Sequence, residues 1–242
     1  MRRETQNILL LLLGGALIKI SLNGDYLRYV KPAHLPWLIA GGVVMVLLGG
    51  VAVVRDLVSA KAHHDGDEGH GGHDHPARAA WLLMVPVLAV FLVAPPALGS
   101  DSVTRSTADA PTEPGAAFPP LPGEDDVDVV PLSLSDFVSR AGWDETGSLN
   151  GRTVSLSGFV VQSEQNTLLA RLVISCCAAD AFPVRVALTG EQAAGLPDDT
   201  WIEVTGTLVP DGADGAGEAG YVPSFEVETL AEIPEPRDRY EY

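Results

Sequence analysis

The strongest restriction on the fold is an apolar segment from Leu35 to Val54, which contains no charged residue. Pro36 and Trp37 lie at its start, and Arg55 and Asp56 follow its end. A helix of about 20 apolar residues spans the hydrocarbon core of a bilayer. Tryptophan and charged residues are typical of the two membrane surfaces. The segment therefore predicts a transmembrane helix with the lipid bilayer around it.

Two further apolar segments lie on either side of it. Residues 8–22 include Lys19, whose long side chain reaches the membrane surface when it lies near a helix end. Residues 79–98 are equally apolar, although Pro86 interrupts regular helix. We therefore predict a transmembrane hairpin over residues 1–54 and a third transmembrane segment over residues 79–98, which gives two or three membrane helices in all.

The basic residues predict the orientation of these helices. Five lie on one side and two on the other, namely Arg2, Arg3, Arg55, Lys61 and Arg78 against Arg28 and Lys31. Because cytoplasmic loops are enriched in lysine and arginine, we expect a multi-pass protein of the cell membrane with a cytoplasmic N-terminus. With three membrane crossings the C-terminal domain is extracytoplasmic. It would be cytoplasmic if the third segment did not cross.

The net charge differs sharply between the two halves of the chain. Residues 1–99 carry eight lysines and arginines against seven acidic residues, whereas residues 100–242 carry seven against 25. An acidic surface repels the phosphates of nucleic acids. We therefore expect no nucleic-acid partner.

A histidine-rich loop is predicted over residues 55–78, on the cytoplasmic side. It holds five of the six histidines of the chain, His63, His64, His70, His73 and His75. Imidazoles mixed with carboxylates and glycines suit zinc, nickel or copper. The alternative is a solvated loop that tolerates any polar composition.

The remainder divides into a disordered linker over residues 99–131, rich in Pro, Ala, Asp, Ser and Thr, and a C-terminal domain over residues 132–242. The domain begins with a helix predicted near Ser133–Ala141. Five runs of alternating residues then predict strands, at residues 153–162, 168–176, 182–188, 201–209 and 224–233. A further helix is predicted at residues 189–196. This pattern predicts an all-β, five-stranded OB-like barrel.

Cys176 and Cys177 are the two cysteines of the chain, and Asp180 follows them. Two thiolates and a carboxylate suit zinc or another divalent metal, with water or a partner supplying a fourth ligand. Two other interpretations stay open, namely packing of the barrel end and a redox role for the adjacent thiols. The C-terminal domain contains no histidine that could activate a cysteine nucleophile. We therefore expect the chain not to be an enzyme.

Four stretches carry a resemblance to a known family, namely Val173–Ala181, Gly158–Val160, Trp201–Leu208 and Pro236–Tyr242. With its hairpin and histidine-rich loop, the chain resembles the YcgQ-like family of bacterial membrane proteins. Within the last of these stretches, Arg237–Tyr242 depart from that family's proline-containing ending. The resemblance implies an accessory subunit of a separate, multi-spanning YcgR-like permease, linked to metal ions. The motif match implies that the functional positions are Cys176, Cys177 and Asp180.

The expected function is therefore that of an accessory permease subunit in the transport or homeostasis of a divalent, zinc-like metal ion. The alternative is a membrane-tethered thiol redox protein or metallochaperone that acts without a permease. Co-purification of a multi-spanning partner distinguishes the two.

Overall fold

The computed structural model describes residues 3–62, 85, 88–89, 92–93, 96–106, 118–122, 127–163, 166–210 and 221–242. It divides into two compact units, Met1–Pro96 and Ala97–Tyr242. His63, His64, His70, His73 and His75 lie outside the described residues, as does most of the third apolar segment. The predictions made for them stay predictions.

The first unit contains two long helices, α1 (Arg3–Asn23) and α2 (Leu35–Ala62). Two short 3-10 turns connect them. Both helices are long and apolar enough to cross a membrane, over Gln6–Asn23 and Pro32–Asp56. The two predicted N-terminal apolar helices are thus confirmed. Helix α2 continues to Ala62, beyond the predicted end at residue 54, so that residues 55–62 of the predicted loop are helical.

Glycines let α1 and α2 approach closely. A Cβ atom at Gly14 would lie 2.8 Å from the carbonyl oxygen of Gly42, and one at Gly49 would lie 2.9 Å from the Leu11 side chain. Small residues at such an interface allow the van der Waals contact that holds helices together in lipid. At one end of the pair, the Asn7 amide donates a hydrogen bond of 3.0 Å to the Asp56 carboxylate.

The described residues of the second unit form two α-helices and seven strands. The helices are α3 (Ser100–Arg105) and α4 (Leu134–Trp143). The strands are β1 (Val130–Pro131), β2 (Val154–Gln162), β3 (Thr167–Val173), β4 (Phe182–Thr189), β5 (Trp201–Leu208), β6 (Ser224–Glu232) and β7 (Tyr240–Glu241).

Strands β2 to β6 close into a barrel in the order β2-β3-β4-β6-β5 and back to β2. All neighbours are antiparallel except β4 and β6, which are parallel. This confirms the predicted five-stranded, OB-like barrel. The helix predicted at residues 189–196 is reduced to a 3-10 turn at Glu191–Ala193.

The barrel interior is closed at one end by α4. Phe137 on that helix meets Phe225 of β6 edge to face, with ring centroids 5.5 Å apart. Gly158 and Gly206 lie where neighbouring strands approach them closely. A Cβ atom at Gly158 would lie 2.6 Å from the Ala170 carbonyl oxygen, and one at Gly206 would collide with the backbone of Glu226. The core thus requires glycine at both positions.

The two edges of the sheet face each other along a line that we call the seam. Strands β2 and β3 pair directly only over Phe159–Gln162 and Thr167–Ala170. Beyond that stretch β2 pairs with β1, and β3 pairs with β7, both in parallel. The seam is therefore the line between β1 and β7, the outermost strands of the sheet.

The beginning of the predicted linker is ordered. Helix α3 packs Val103, which is 1% exposed, into an apolar cluster on the outside of the barrel. The backbone N–H and hydroxyl of Ser100 donate to the two carboxylate oxygens of Asp199, at 2.7 and 2.8 Å. This differs from the disordered linker predicted over residues 99–131. The composition of the segment does not predict helix α3, because the buried side chain that holds it, Val103, packs on an apolar surface supplied by the barrel.

We expect Asp199→Gly to detach α3 from the barrel. Asp199 has a positive φ of 63°, which glycine adopts without strain. The substitution therefore removes mainly the two hydrogen bonds to Ser100, a loss of about 1–3 kcal/mol. Trypsin cleavage after Arg105 should become faster in the full chain.

Asp198→Asn is the matched control, because the neighbouring Asp198 carboxylate accepts from the Gln162 N–H and not from α3. Equal cleavage rates in Asp199→Gly and Asp198→Asn would show that Asp199 does not hold the helix.

Candidate functional site

The cysteines lie in the loop that connects β3 to β4. The strand was predicted to continue to Cys176, but β3 ends at Val173. The buried Ile174 is followed by a turn and then by a short 3-10 helix at Ala178–Asp180. The cysteines therefore leave the regular alternation of the strand, which would have directed their side chains to opposite faces.

Asp180 closes this loop on itself. Its carboxylate accepts hydrogen bonds from the backbone N–H groups of Ser175, at 3.0 Å, and Cys176, at 2.8 Å. Its own N–H donates to the carbonyl oxygen of Cys177 at 3.0 Å. A side chain of this kind stabilises a turn in place of a backbone ladder. The residue that sequence reasoning selected as a ligand thus also shapes the loop.

The structure brings the three predicted ligands of the C-terminal domain together. The Sγ atoms of Cys176 and Cys177 are 3.6 Å apart. The ligand atoms of these residues and Asp180 all lie within 4.8 Å of one another. Tetrahedral zinc with Zn–S bonds of about 2.3 Å places its two sulfurs roughly 3.7 Å apart. The spacing therefore fits a shared metal ion.

The loop is open to solvent. Cys176 and Asp180 are exposed, and Cys177 is half-buried. Three protein ligands at an exposed position leave room for a fourth from water or from a partner, as in zinc sites that retain an open position. The arrangement suits exchange of a metal more than permanent structural binding.

Hydrogen bonding keeps the Cys176 thiol protonated. The bond to Asp180, followed by that to Cys177, raises the pKa of Cys176 to about 11. The same contact with Cys176, supported by the backbone N–H groups, lowers the pKa of Asp180. Reactive cysteines have lowered pKa values instead. Cys176 is therefore poorly suited to act as a free nucleophile or redox thiol, and a metal must displace its proton.

Glu241, next to the chain terminus, was missed by sequence reasoning. Its carbonyl oxygen accepts from the N–H of Ile174 at 3.0 Å, immediately before the cysteine loop. Its carboxylate accepts from the N–H groups of Leu134 and Ser135, each at 2.8 Å. The available signal was the short Tyr-Glu-Tyr ending, whose alternating tyrosines are typical of a strand.

Two regions of the chain match known domains. Residues 5–109 match the DUF1980 N-terminal domain, and residues 143–242 match the DUF1980 C-terminal domain. The first match includes α1, α2 and α3, and the second includes the whole barrel with Cys176, Cys177 and Asp180. No curated protein matches the chain.

We expect the reactivity of Cys176 to depend on Asp180. In a Cys177→Ala background, removing the carboxylate with Asp180→Ala should lower the Cys176 pKa toward the ordinary thiol value of about 8.5. The pH midpoint for alkylation by iodoacetamide should fall accordingly. Asp180→Asn, which retains an oxygen for the backbone N–H groups, should shift it in the same direction.

The Cys177→Ala variant with Asp180 intact is the reference. An unchanged midpoint in both double variants would show that Asp180 does not hold the Cys176 proton.

Proposed function

Since the chain carries both the N-terminal and the C-terminal domain of the DUF1980 family and belongs to it, we propose that it is an accessory subunit of a membrane permease. In this proposal α1 and α2 anchor the chain in the cell membrane, with the N-terminus in the cytoplasm. The barrel lies outside and contacts a divalent, zinc-like metal. A separate multi-spanning protein supplies the transport pathway.

The observation that carries the metal assignment is the meeting of two thiols and one carboxylate in a single solvent-exposed loop. Their spacing matches that of zinc ligands, as described above. Thiolates favour zinc, copper(I) and other thiophilic ions over magnesium or calcium. The substrate class supported best is therefore a thiophilic metal ion.

The proposal of a separate pathway rests on the apolar character of the helices. Lys19 is the one charged residue between Gln6 and Asn23, and no charged residue lies between Pro32 and Val54. Ion pathways through membranes are marked by polar and ionisable residues at depth. The resemblance to the YcgQ-like family, which implies a YcgR-like permease partner, supports the same division of labour.

The principal alternative is a membrane-tethered protein that acts without a permease. A redox role with Cys176 as the attacking thiol is disfavoured, because its pKa is raised, and a disulfide between adjacent residues is strained. A metallochaperone would use the same ligands in the same loop. The presence of a permease partner, and not the metal site, therefore distinguishes a permease subunit from a metallochaperone.

Co-purification from native membranes tests the subunit proposal. A tagged full-length chain, solubilised in mild detergent, should retain one multi-spanning protein at a fixed ratio. Deleting the gene for that protein should change cellular zinc in the same direction as deleting this chain, and the double deletion should add nothing further.

An unrelated tagged membrane hairpin serves as the control for non-specific capture. If no multi-spanning protein is retained, or if the two deletions act additively, the subunit proposal is wrong and the metallochaperone remains.

A further inference from the structure

The last residues of the chain are built into the strand that leads to the cysteine loop. Strand β7 pairs with the end of β3, with Tyr240 opposite Leu172 and Glu241 opposite Val173. Tyr240 is 2% exposed. The chain terminus is therefore a packed strand that fixes the final residues of β3.

Three consecutive backbone N–H groups then define the start of the loop. That of Ile174 donates to the Glu241 carbonyl oxygen, and those of Ser175 and Cys176 donate to the Asp180 carboxylate. The first contact comes from the terminal strand and the next two from the loop itself. The direction in which the chain continues from β3 to Cys176 thus depends on the position of Glu241.

The side chain of Glu241 holds that strand in place. Its two carboxylate oxygens accept from the first N–H groups of α4, at Leu134 and Ser135. A carboxylate is favoured there, because the N-terminus of a helix carries partial positive charge and unpaired donors. The bonds cross the seam, since Leu134 follows β1 and Glu241 belongs to β7.

A buried arginine adds a third contact. The Arg171 guanidinium lies 3.7 Å from the Glu241 carboxylate, with both side chains about nine-tenths buried. Arg171 also donates to the Tyr240 carbonyl oxygen at 3.3 Å and stacks 5.0 Å from the centre of the Trp201 ring. The position of the terminal strand is therefore set by charge as well as by backbone pairing.

We propose that Glu241 is a positioning residue for the metal ligands Cys176, Cys177 and Asp180. It does not touch the ion. It acts by holding β7 against β3, so that the Ile174 N–H and the two N–H groups after it keep the loop in its ligating form. This inference rests on the metal site proposed above.

Glu241→Gln isolates the role of the carboxylate. The amide keeps the size of the side chain but offers one acceptor oxygen in place of two, and its NH2 group cannot accept from the α4 backbone. One bond across the seam and the ion pair with Arg171 are therefore lost.

Glu235→Gln is the matched control. Glu235 lies in the same C-terminal segment and pairs with Arg239 at 2.9 Å, but its side chain is 53% exposed and does not reach α4. The Glu235→Gln substitution therefore removes a carboxylate of the same type without changing a contact across the seam.

Cobalt(II) titration of the full chain in mild detergent tests the proposal. The thiolate-to-cobalt absorption band reports the cysteine site, since histidine ligands do not produce it. Glu241→Gln should weaken cobalt affinity by about 10-fold or more, the effect typical of residues that orient metal ligands. Glu235→Gln should leave it within about 2-fold of the unmodified chain.

Thermal unfolding of each variant, followed by circular dichroism, separates positioning from stability. A folded Glu241→Gln chain with unmodified cobalt affinity would overturn the inference while leaving the metal site standing. If the unmodified chain shows no thiolate-to-cobalt band, the proposed metal site itself is wrong.

If Glu241→Gln does not fold, Glu241→Asp takes its place, since it keeps the charge and both acceptors but is one methylene shorter. Its affinity should fall between those of the unmodified chain and a Cys176→Ser variant. Unmodified affinity in the folded Glu241→Asp chain would again contradict the positioning role.

Discussion

One carboxylate, that of Glu241, joins the two edges of the sheet in the C-terminal unit. Glu241 reaches from β7 to the start of α4, which directly follows β1, and its hydrogen bonds bridge the line where β2 and β3 no longer pair. An unpaired sheet edge exposes backbone groups that need partners. By pairing along both edges, the short strands β1 and β7 cover the part of the closed barrel where β2 and β3 no longer pair.

The cysteine loop inherits its geometry from this closure. The chain leaves β3 next to Glu241, and Asp180 then folds the following residues into a turn that brings both thiols to one place. Asp180 shapes the loop, and in the proposed metal site it would also complete the donor set. The hydrogen bond that raises the Cys176 pKa keeps that sulfur uncharged, so that the proposed metal binding would be coupled to release of a proton.

Much of the barrel was predictable from sequence, because alternation is a local signal. The starts of β4, β5 and β6 match the predicted positions, and Ser133 caps α4 by accepting from the Asp136 N–H, as its residue type indicates. In each case the information lies within a few residues.

The features that were missed depend on contacts between distant parts of the chain. Helix α3 is ordered by Asp199, and β7 by Arg171 and α4, neither of which is visible in a local pattern. The early end of β3 has the same origin, since Glu241 and Asp180 take the N–H groups that a longer strand would have used. The adjacency of Cys176, Cys177 and Asp180 was predicted from spacing, but the turn that produces it was not.

X-ray absorption at the zinc edge tests the central claim most directly. The full chain, loaded with one equivalent of zinc in mild detergent, should show two sulfur neighbours at about 2.3 Å and lighter oxygen or nitrogen neighbours near 2.0 Å. Replacing both Cys176 and Cys177 with serine should remove the sulfur contribution. Nitrogen and oxygen neighbours alone, in a chain whose competing loop histidines are replaced by alanine, would contradict a metal site at these cysteines; the five replaced residues are His63, His64, His70, His73 and His75.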